Sequence, residues 1–412
     1  MVNKLASPSR RALLRTTLGG AGTLAAWSFL PRFAQAAAGR DPRFVVIILR
    51  GALDGLTAVP PLGDPSYHEL RQAIALNGAG TAGPQTALKL DGFFGLDPSM
   101  PNFARLYHAN QAAVVHACAT AYRDRSHFDG QDVLESGFPT PGHTESGWLN
   151  RLLLTLPKGE RVGTGSSSNG LAIGANAPLV IRGPAPTLGW APATLKPADG
   201  ELPARLADLY AHTDPLFARV LAEGIATGKI ASGMDVKSKG GPGDPNGMEQ
   251  MATGAARLLA QPDGPRIAAL AFEGWDTHAQ EIGRLTRLLM GLDNSFAAFE
   301  RELGPAWKDT VVVAVTEFGR TARINGTNGT DHGTGAAMFM AGGAVRGGRI
   351  IADWPGLRQN QLRDGRDLAA TTDMRAVLKG VAVDLLGGSP AALGRDVFPG
   401  SEQVAPMKGL IV

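Results

Sequence analysis

Short unbroken apolar runs recur along this chain, separated by stretches in which apolar residues return every three or four positions. The runs at 43–50, 112–118, 266–272, 310–316 and 336–341 are rich in Val, Ile, Leu and Ala. Runs of that length predict strands buried on both faces, as in a mostly parallel sheet covered by helices. The intervening periodicity predicts helices over 67–76, 101–110, 128–136, 147–155, 248–260, 278–302 and 372–386. The last would be capped by Thr371 or Thr372. A further helical stretch, 202–225, is broken near Pro215. Two short strands are expected at 171–174 and 178–182. The segment 156–247 is less regular and reads as an insertion or a cap, and its Gly-, Lys- and Pro-rich end, 232–247, reads as a surface loop.

The first residues carry a different pattern. Ser9-Arg10-Arg11-Ala12-Leu13-Leu14 is a twin-arginine signature ahead of a mildly apolar, Gly-containing stretch, and Ala34-Gln35-Ala36 offers a small-residue cleavage site. Residues 1–36 are therefore expected to be an export signal, and the stretch is too short and too rich in Gly and Thr for a good membrane span. They also explain the charge. The chain is +3 overall, residues 1–36 are +5, and the remainder is −2. Nucleic acid is not an expected partner. Cys118 is the only cysteine, which excludes an internal disulfide and a thiolate metal cluster. It lies in a buried-strand pattern and reads as a small core hydrophobe.

Chemistry-bearing residues stand at the ends of these runs. Asp54 follows 43–50 in Gly51-Ala-Leu-Asp54-Gly55. Gly274-Trp-Asp276-Thr-His278 follows 266–272. Thr316-Glu317-Phe-Gly-Arg320 follows 310–316, and Asp331-His332 precedes 336–341. In an open α/β sheet, ligands bind at the carboxyl ends of the strands. Oxygen and imidazole donors gathered there predict a divalent-metal site: zinc or manganese for an imidazole-containing set, calcium or magnesium for an oxygen-rich one. Each motif also has a structural reading. Asp54 can cap the next turn, Asp276 or Thr277 can cap helix 278–302, and Glu317 can pair with Arg320. Of Asp331 and His332, one is expected to ligate and the other to support. Ser126, in Arg125-Ser126-His127-Phe-Asp129, opens a helix. There it is either a cap or a nucleophile beside a metal. His127 is a ligand or a substrate-orienting group.

In this order the motifs resemble those of an uncharacterised bacterial family of twin-arginine-exported proteins. That family is itself similar to a distant branch of the alkaline phosphatase/sulfatase superfamily. The resemblance covers about 43–390, leaving 391–412 as a C-terminal tail. It implies an alkaline-phosphatase-like three-layer α/β/α sandwich with one or two metal ions. It implies metal ligation by Asp54, Asp276, His278, Glu317 and His332, with Asp331 a further candidate. Ser126, about ten residues before Ser136-Gly137, falls near the superfamily's nucleophile position. Two departures stand out. Glu317-Phe318 replaces an Asp-His pair, and neither Cys118 nor Ser126 is followed by the Pro and Arg of a formylglycine sulfatase.

The expected function is an exported, metal-dependent hydrolase of phosphate or sulfate esters in the periplasm or outside the cell. Ser126, His127 and Arg320 would do the chemistry on a small-molecule or glycan ester. The twin-arginine translocase would be a partner during export, with no stable membrane span after cleavage. The alternative is a non-catalytic envelope protein on the same fold. A redox role has no haem, iron–sulfur or dinucleotide motif behind it.

Overall fold

Along the first strand, β1 (Arg43–Leu49), alternate side chains enter two separate cores. Val45, Ile47 and Leu49 pack on one side, and Phe44, Val46 and Ile48 on the other. That period-two division is what a strand covered on both faces must show. The computed structural model describes residues 40–78, 83, 85–156, 170–192, 202–215, 217–218, 221–222, 224–225 and 241–412. Within it Asp41–Val412 forms one compact unit. The expected export signal lies outside the described residues.

A short hairpin, β2 (Leu88–Lys89) with β3 (Gly95–Leu96), stands apart from the main sheet. The other strands form that sheet. They are β4 (Ala112–Ala119), β5 (Gly170–Ile173), β6 (Thr187–Trp190), β7 (Ile267–Phe272), β8 (Thr310–Val315), β9 (Ala336–Ala341), β10 (Arg349–Ile351) and β11 (Thr372–Asp373). The order across it is β10-β4-β9-β8-β1-β7-β5-β6, with β11 also on β4. All neighbours are parallel except β9, which runs against both β4 and β8.

Two short helices, α1 (Gly55–Ala58) and α2 (Tyr67–Arg71), follow β1. On the Val45 side pack α3 (Pro101–His108), then α7 (Pro245–Ala260) and α8 (Glu281–Leu303). On the Phe44 side pack α4 (His127–Ser136), α5 (Trp148–Thr155) and α9 (Met374–Leu386). Helix α6 (Leu202–Thr213) accounts for part of the stretch expected at 202–225. The result is a three-layer α/β/α sandwich, as the resemblance implies. No helix among the described residues is long and apolar enough to cross a membrane.

Four sequence expectations need correcting. Strands β5 and β6 are integral to the main sheet, so this part of 156–247 is not an insertion. The apolar triplet Leu179–Ile181 is a 3-10 turn after Pro178, and the second strand lies at Thr187–Trp190. Helix α9 is capped by Asp373, whose carboxylate accepts the Arg375 N–H at 2.8 Å, while Thr372 pairs with Cys118 on β4. Residues 391–412 do not hang free. Leu393, Val397, Phe398, Leu410 and Ile411 are buried in the core beneath α5 and α9.

Candidate metal centre

The sheet topology brings the motifs together. Turns after the parallel strands β1, β4, β7 and β8 open at one edge. Because β9 is antiparallel, residues that precede it lie at that same edge. Asp276 and His278 therefore arrive from β7, Arg320 from β8, His332 from before β9, and His127 from the first turn of α4.

At the centre stands Asp276 Oδ1. His127 Nε2 lies 3.3 Å from it, His278 Nε2 3.1 Å and His332 Nε2 3.4 Å. The Nε2 atoms of His278 and His332 are 3.0 Å apart. Each ring is held by its other nitrogen. His127 Nδ1 donates to Glu317 Oε1 (2.9 Å), His278 Nδ1 to Asp331 Oδ1 (3.0 Å) and His332 Nδ1 to the Arg125 carbonyl (2.8 Å). Those three acceptors are all oxygens, so they assign the proton to Nδ1 in every ring. With the rings in their neutral form, three imidazole lone pairs and a carboxylate oxygen face one another. His127 Nε2 is buried and makes no hydrogen bond despite its nearness to Asp276.

Among the described residues Arg320 Nη2 is the donor into this cluster, on Asp276 Oδ1 at 2.7 Å, and a cation held by the three Nε2 atoms would be favourable. His127, Asp276 and His332 have the spacing of a metal site, with His278 in contact with two of them. Ligands about 2.0–2.2 Å from a tetrahedral zinc lie about 3.3 Å from each other. The separations of Asp276 Oδ1 from the three rings, and of His278 from His332, are close to that value. Rings whose second nitrogen is fixed by a carboxylate or carbonyl are the usual support of such ligands.

The electrostatics follow from these contacts. The Glu317 hydrogen bond holds His127 above its ordinary pKa, against burial. Burial pushes His332 down, helped by the nearby charges of His127 and Arg320. Burial would raise Asp276, but Arg320, His278 and His127 outweigh it and hold the carboxyl below its usual range. Arg320 is fully buried and donates from Nη2 to Asp276 Oδ1 at 2.7 Å. Its Nε and Nη1 have no partner among the described residues. A buried guanidinium with unused donors beside this cluster is suited to an anionic oxygen.

Two glycines let the loops meet. A side chain at Gly329 would stand 2.3 Å from the His278 carbonyl, and one at Gly333 2.3 Å from the Arg320 carbonyl.

The expected ligands Glu317, Asp331 and Asp54 take other roles. Glu317 is buried behind His127. Its Oε1 accepts from His127, the Gly51 N–H (2.9 Å) and Gln131 Nε2 (3.1 Å), and its Oε2 lies 3.0 Å from Thr316 Oγ1. Asp331 stands behind His278 and also accepts from Asn325 Nδ2 (3.2 Å).

Asp54 belongs to a separate buried group. Its Oδ1 accepts the N–H groups of Leu56 (2.9 Å) and Thr57 (3.1 Å), capping α1, and its Oδ2 accepts Arg71. Arg71 lies buried between Asp54 and Glu281. Glu281 accepts from Thr57 Oγ1 (2.9 Å) and Thr330 Oγ1 (2.6 Å). Burial, then the charge of Asp54, pushes Glu281 up to about 8. Burial and the Asp54 charge thus favour the acid form of Glu281, leaving Arg71 to balance Asp54. Here an internal arginine supplies the positive charge that Asp54 was expected to find in a metal.

Ser126 occupies the N-cap position of α4, but its side chain makes no capping bond. Its N–H donates to the Tyr122 hydroxyl at 3.2 Å. Flanking it, Arg125 has a left-handed backbone (φ 64°) that turns its carbonyl to His332. Asp367, fully buried, holds the Arg125 side chain through a 2.8 Å bond to Nε. Sequence reasoning assigned no site role to Arg125, Gln131, Asn325, Glu281, Arg71 or Asp367. Arg125 lies within a quoted motif; the others carried no local signal.

A family model described as a protein of unknown function, DUF1501, matches residues 225–382. No curated protein matches the chain. Among solved structures the chain is similar to BT1596, a 2-O GAG sulfatase, at 11% identity over 88% of this chain and 72% of that one, TM-score 0.42. It is similar to the lipoteichoic acid synthase LtaP from Listeria monocytogenes at 11% identity over 88% and 76%, TM-score 0.36. It is also similar to a TAB5 alkaline phosphatase mutant with Mg bound, at 12% identity over 74% and 92%, TM-score 0.35. Superposition at that level transfers no residue roles, and the chemistry rests on this chain's own side chains.

Proposed function

We propose that this protein is an exported, metal-dependent hydrolase of phosphate or sulfate esters. One observation carries the reading. Three imidazole Nε2 atoms, each with its Nδ1 proton tied to an oxygen, converge on Asp276 Oδ1 at 3.1–3.4 Å. His127, Asp276, His278 and His332 would hold the ion. A set with three imidazoles favours zinc over calcium or magnesium, which prefer oxygen donors. When bound, the ion would withdraw charge from the ester oxygen and lower the pKa of a water or hydroxyl at the site.

The chain's own groups supply the rest. Arg320, whose Nη2 already binds Asp276 and whose Nε and Nη1 have no partner among the described residues, would bind a non-bridging oxygen of the ester. Ser126, at the positive end of α4 and free of capping duty, would attack. Glu317, Asp331 and the Arg125 carbonyl keep the three rings oriented.

A four-ligand set is also the pattern of closed, structural zinc sites, which supports a non-catalytic envelope protein as the second reading. Against it, the side chains of Asp276 and His278 are each 43% exposed, so the centre opens to solvent. The test is a screen of zinc-loaded protein against aryl phosphates, aryl phosphodiesters and aryl sulfates, beside Asp276→Ala. Hydrolysis lost in a folded Asp276→Ala supports the enzyme. Zinc retention without turnover of any ester supports the second reading.

A further inference from the structure

Next to the centre lies a cavity of about 300 Å³, and the two share a wall. Asp331 lines the cavity while its Oδ1 holds His278 on the other side. Arg366 also lines it, and its Nη1 donates to the His332 carbonyl (2.9 Å) and to Asp367 Oδ1 (3.1 Å). Its Nε and Nη2 bond to no described residue. Arg323 faces the same space, half exposed, with Glu69 as its one ion-pair partner at 3.2 Å. Gln359 spends its amide N–H on the Gly365 carbonyl and keeps its oxygen for a ligand. Leu70 and Leu362 give an apolar floor.

We propose that this cavity is a substrate subsite for a second anionic group. It rests on the hydrolase reading above and narrows the substrate to an ester carried on a small polyol or sugar unit. That unit bears another phosphate, sulfate or carboxylate. Two arginines with unused donors recognise the anion. Asp331 and Gln359 accept its hydroxyls. The volume is at the small end of ligand sites, which suits one ring rather than a polymer segment. A plain alkyl or aryl ester would leave the cavity to water and gain nothing from it.

The test uses the zinc-loaded full chain with glucose 1,6-bisphosphate and glucose 6-phosphate as probes, by calorimetry and by KM. Arg323→Ala is the main variant, because it touches no ligand or ring support, and Arg323→Lys keeps the charge. Charge-assisted hydrogen bonds predict that wild type prefers the bisphosphate by about tenfold or more. Arg323→Ala should lose that preference, Arg323→Lys should keep part of it, and kcat on an aryl phosphate should not move. Equal affinity for the two probes in wild type would overturn the proposal. So would an equal loss for both probes in Arg323→Ala, which would mark general attraction at the rim. If the preference is present and lost in Arg323→Ala while no ester is ever cleaved, the subsite stands and the hydrolase reading falls. A disulfated sugar in a parallel arm distinguishes phosphate from sulfate.

Discussion

Glu317→Gln separates charge from shape at the metal centre. Glu317 is fully buried, and its Oε1 accepts three N–H donors, from His127, Gly51 and Gln131. A glutamine can keep its oxygen on those donors and turn its amide to Thr316 Oγ1, which already donates to the Leu49 carbonyl at 2.8 Å. The fold should therefore survive. What is lost is the negative charge that makes His127 a stronger donor to a cation. Removing a group that supports a metal-bound histidine lowers affinity by about 10- to 100-fold, or roughly 1.4–2.8 kcal/mol. The assay is a zinc titration in competition with a chelator, with circular dichroism on the same samples. A weakening in that range with an unchanged spectrum is expected. Zinc affinity within about threefold of wild type would refute the assignment of His127 as a ligand whose basicity Glu317 sets.

Three further outcomes follow from the same geometry. Glu281 has a folded pKa near 8 against 4.5 for the free group. A raised acid pKa stabilises below the unfolded value and loses that contribution as pH rises through the folded one. Chelator-treated protein should thus lose on the order of 1 kcal/mol per pH unit between pH 5 and 8, and Glu281→Gln should flatten the slope in urea melts. Phe128, beside His127, is 90% exposed. Phe128→Ala should leave stability within about 0.5 kcal/mol yet raise KM for aromatic or sugar esters, as steady-state kinetics will show. Gly333→Ala puts a methyl against the Arg320 carbonyl. It should cost about 1–3 kcal/mol in thermal melts and weaken zinc binding together with stability.

Much of this protein was readable from its pattern, and the failures have physical causes. Buried strands such as 310–316 and 336–341 announced themselves by apolar composition, but such a run carries no direction. The antiparallel β9 was therefore invisible, although it alone explains why a motif before a strand joins motifs after strands. The meeting of Asp276, His278 and His332 is legible because they sit within a few residues of strand ends. Whether Glu317 ligates or supports depended on which imidazole came within reach, and His127 arrives from a helix 190 residues away. Asp54 reads as a ligand in the sequence, but Arg71, from a different helix, occupies it. Ser126 reads first as a cap, yet its side chain makes no capping bond. Local propensity cannot tell a donor used by the backbone from one left for chemistry.

The most direct test of the centre is elemental analysis of the purified mature protein beside His332→Ala. His332 contributes a lone pair to the cluster, and its Nδ1 partner is a backbone carbonyl that other donors can satisfy. We predict one equivalent of zinc or another imidazole-preferring divalent metal in wild type and its loss in the folded variant. No bound metal after zinc reconstitution, or an equal content in His332→Ala, would contradict the metal centre and the hydrolase built on it.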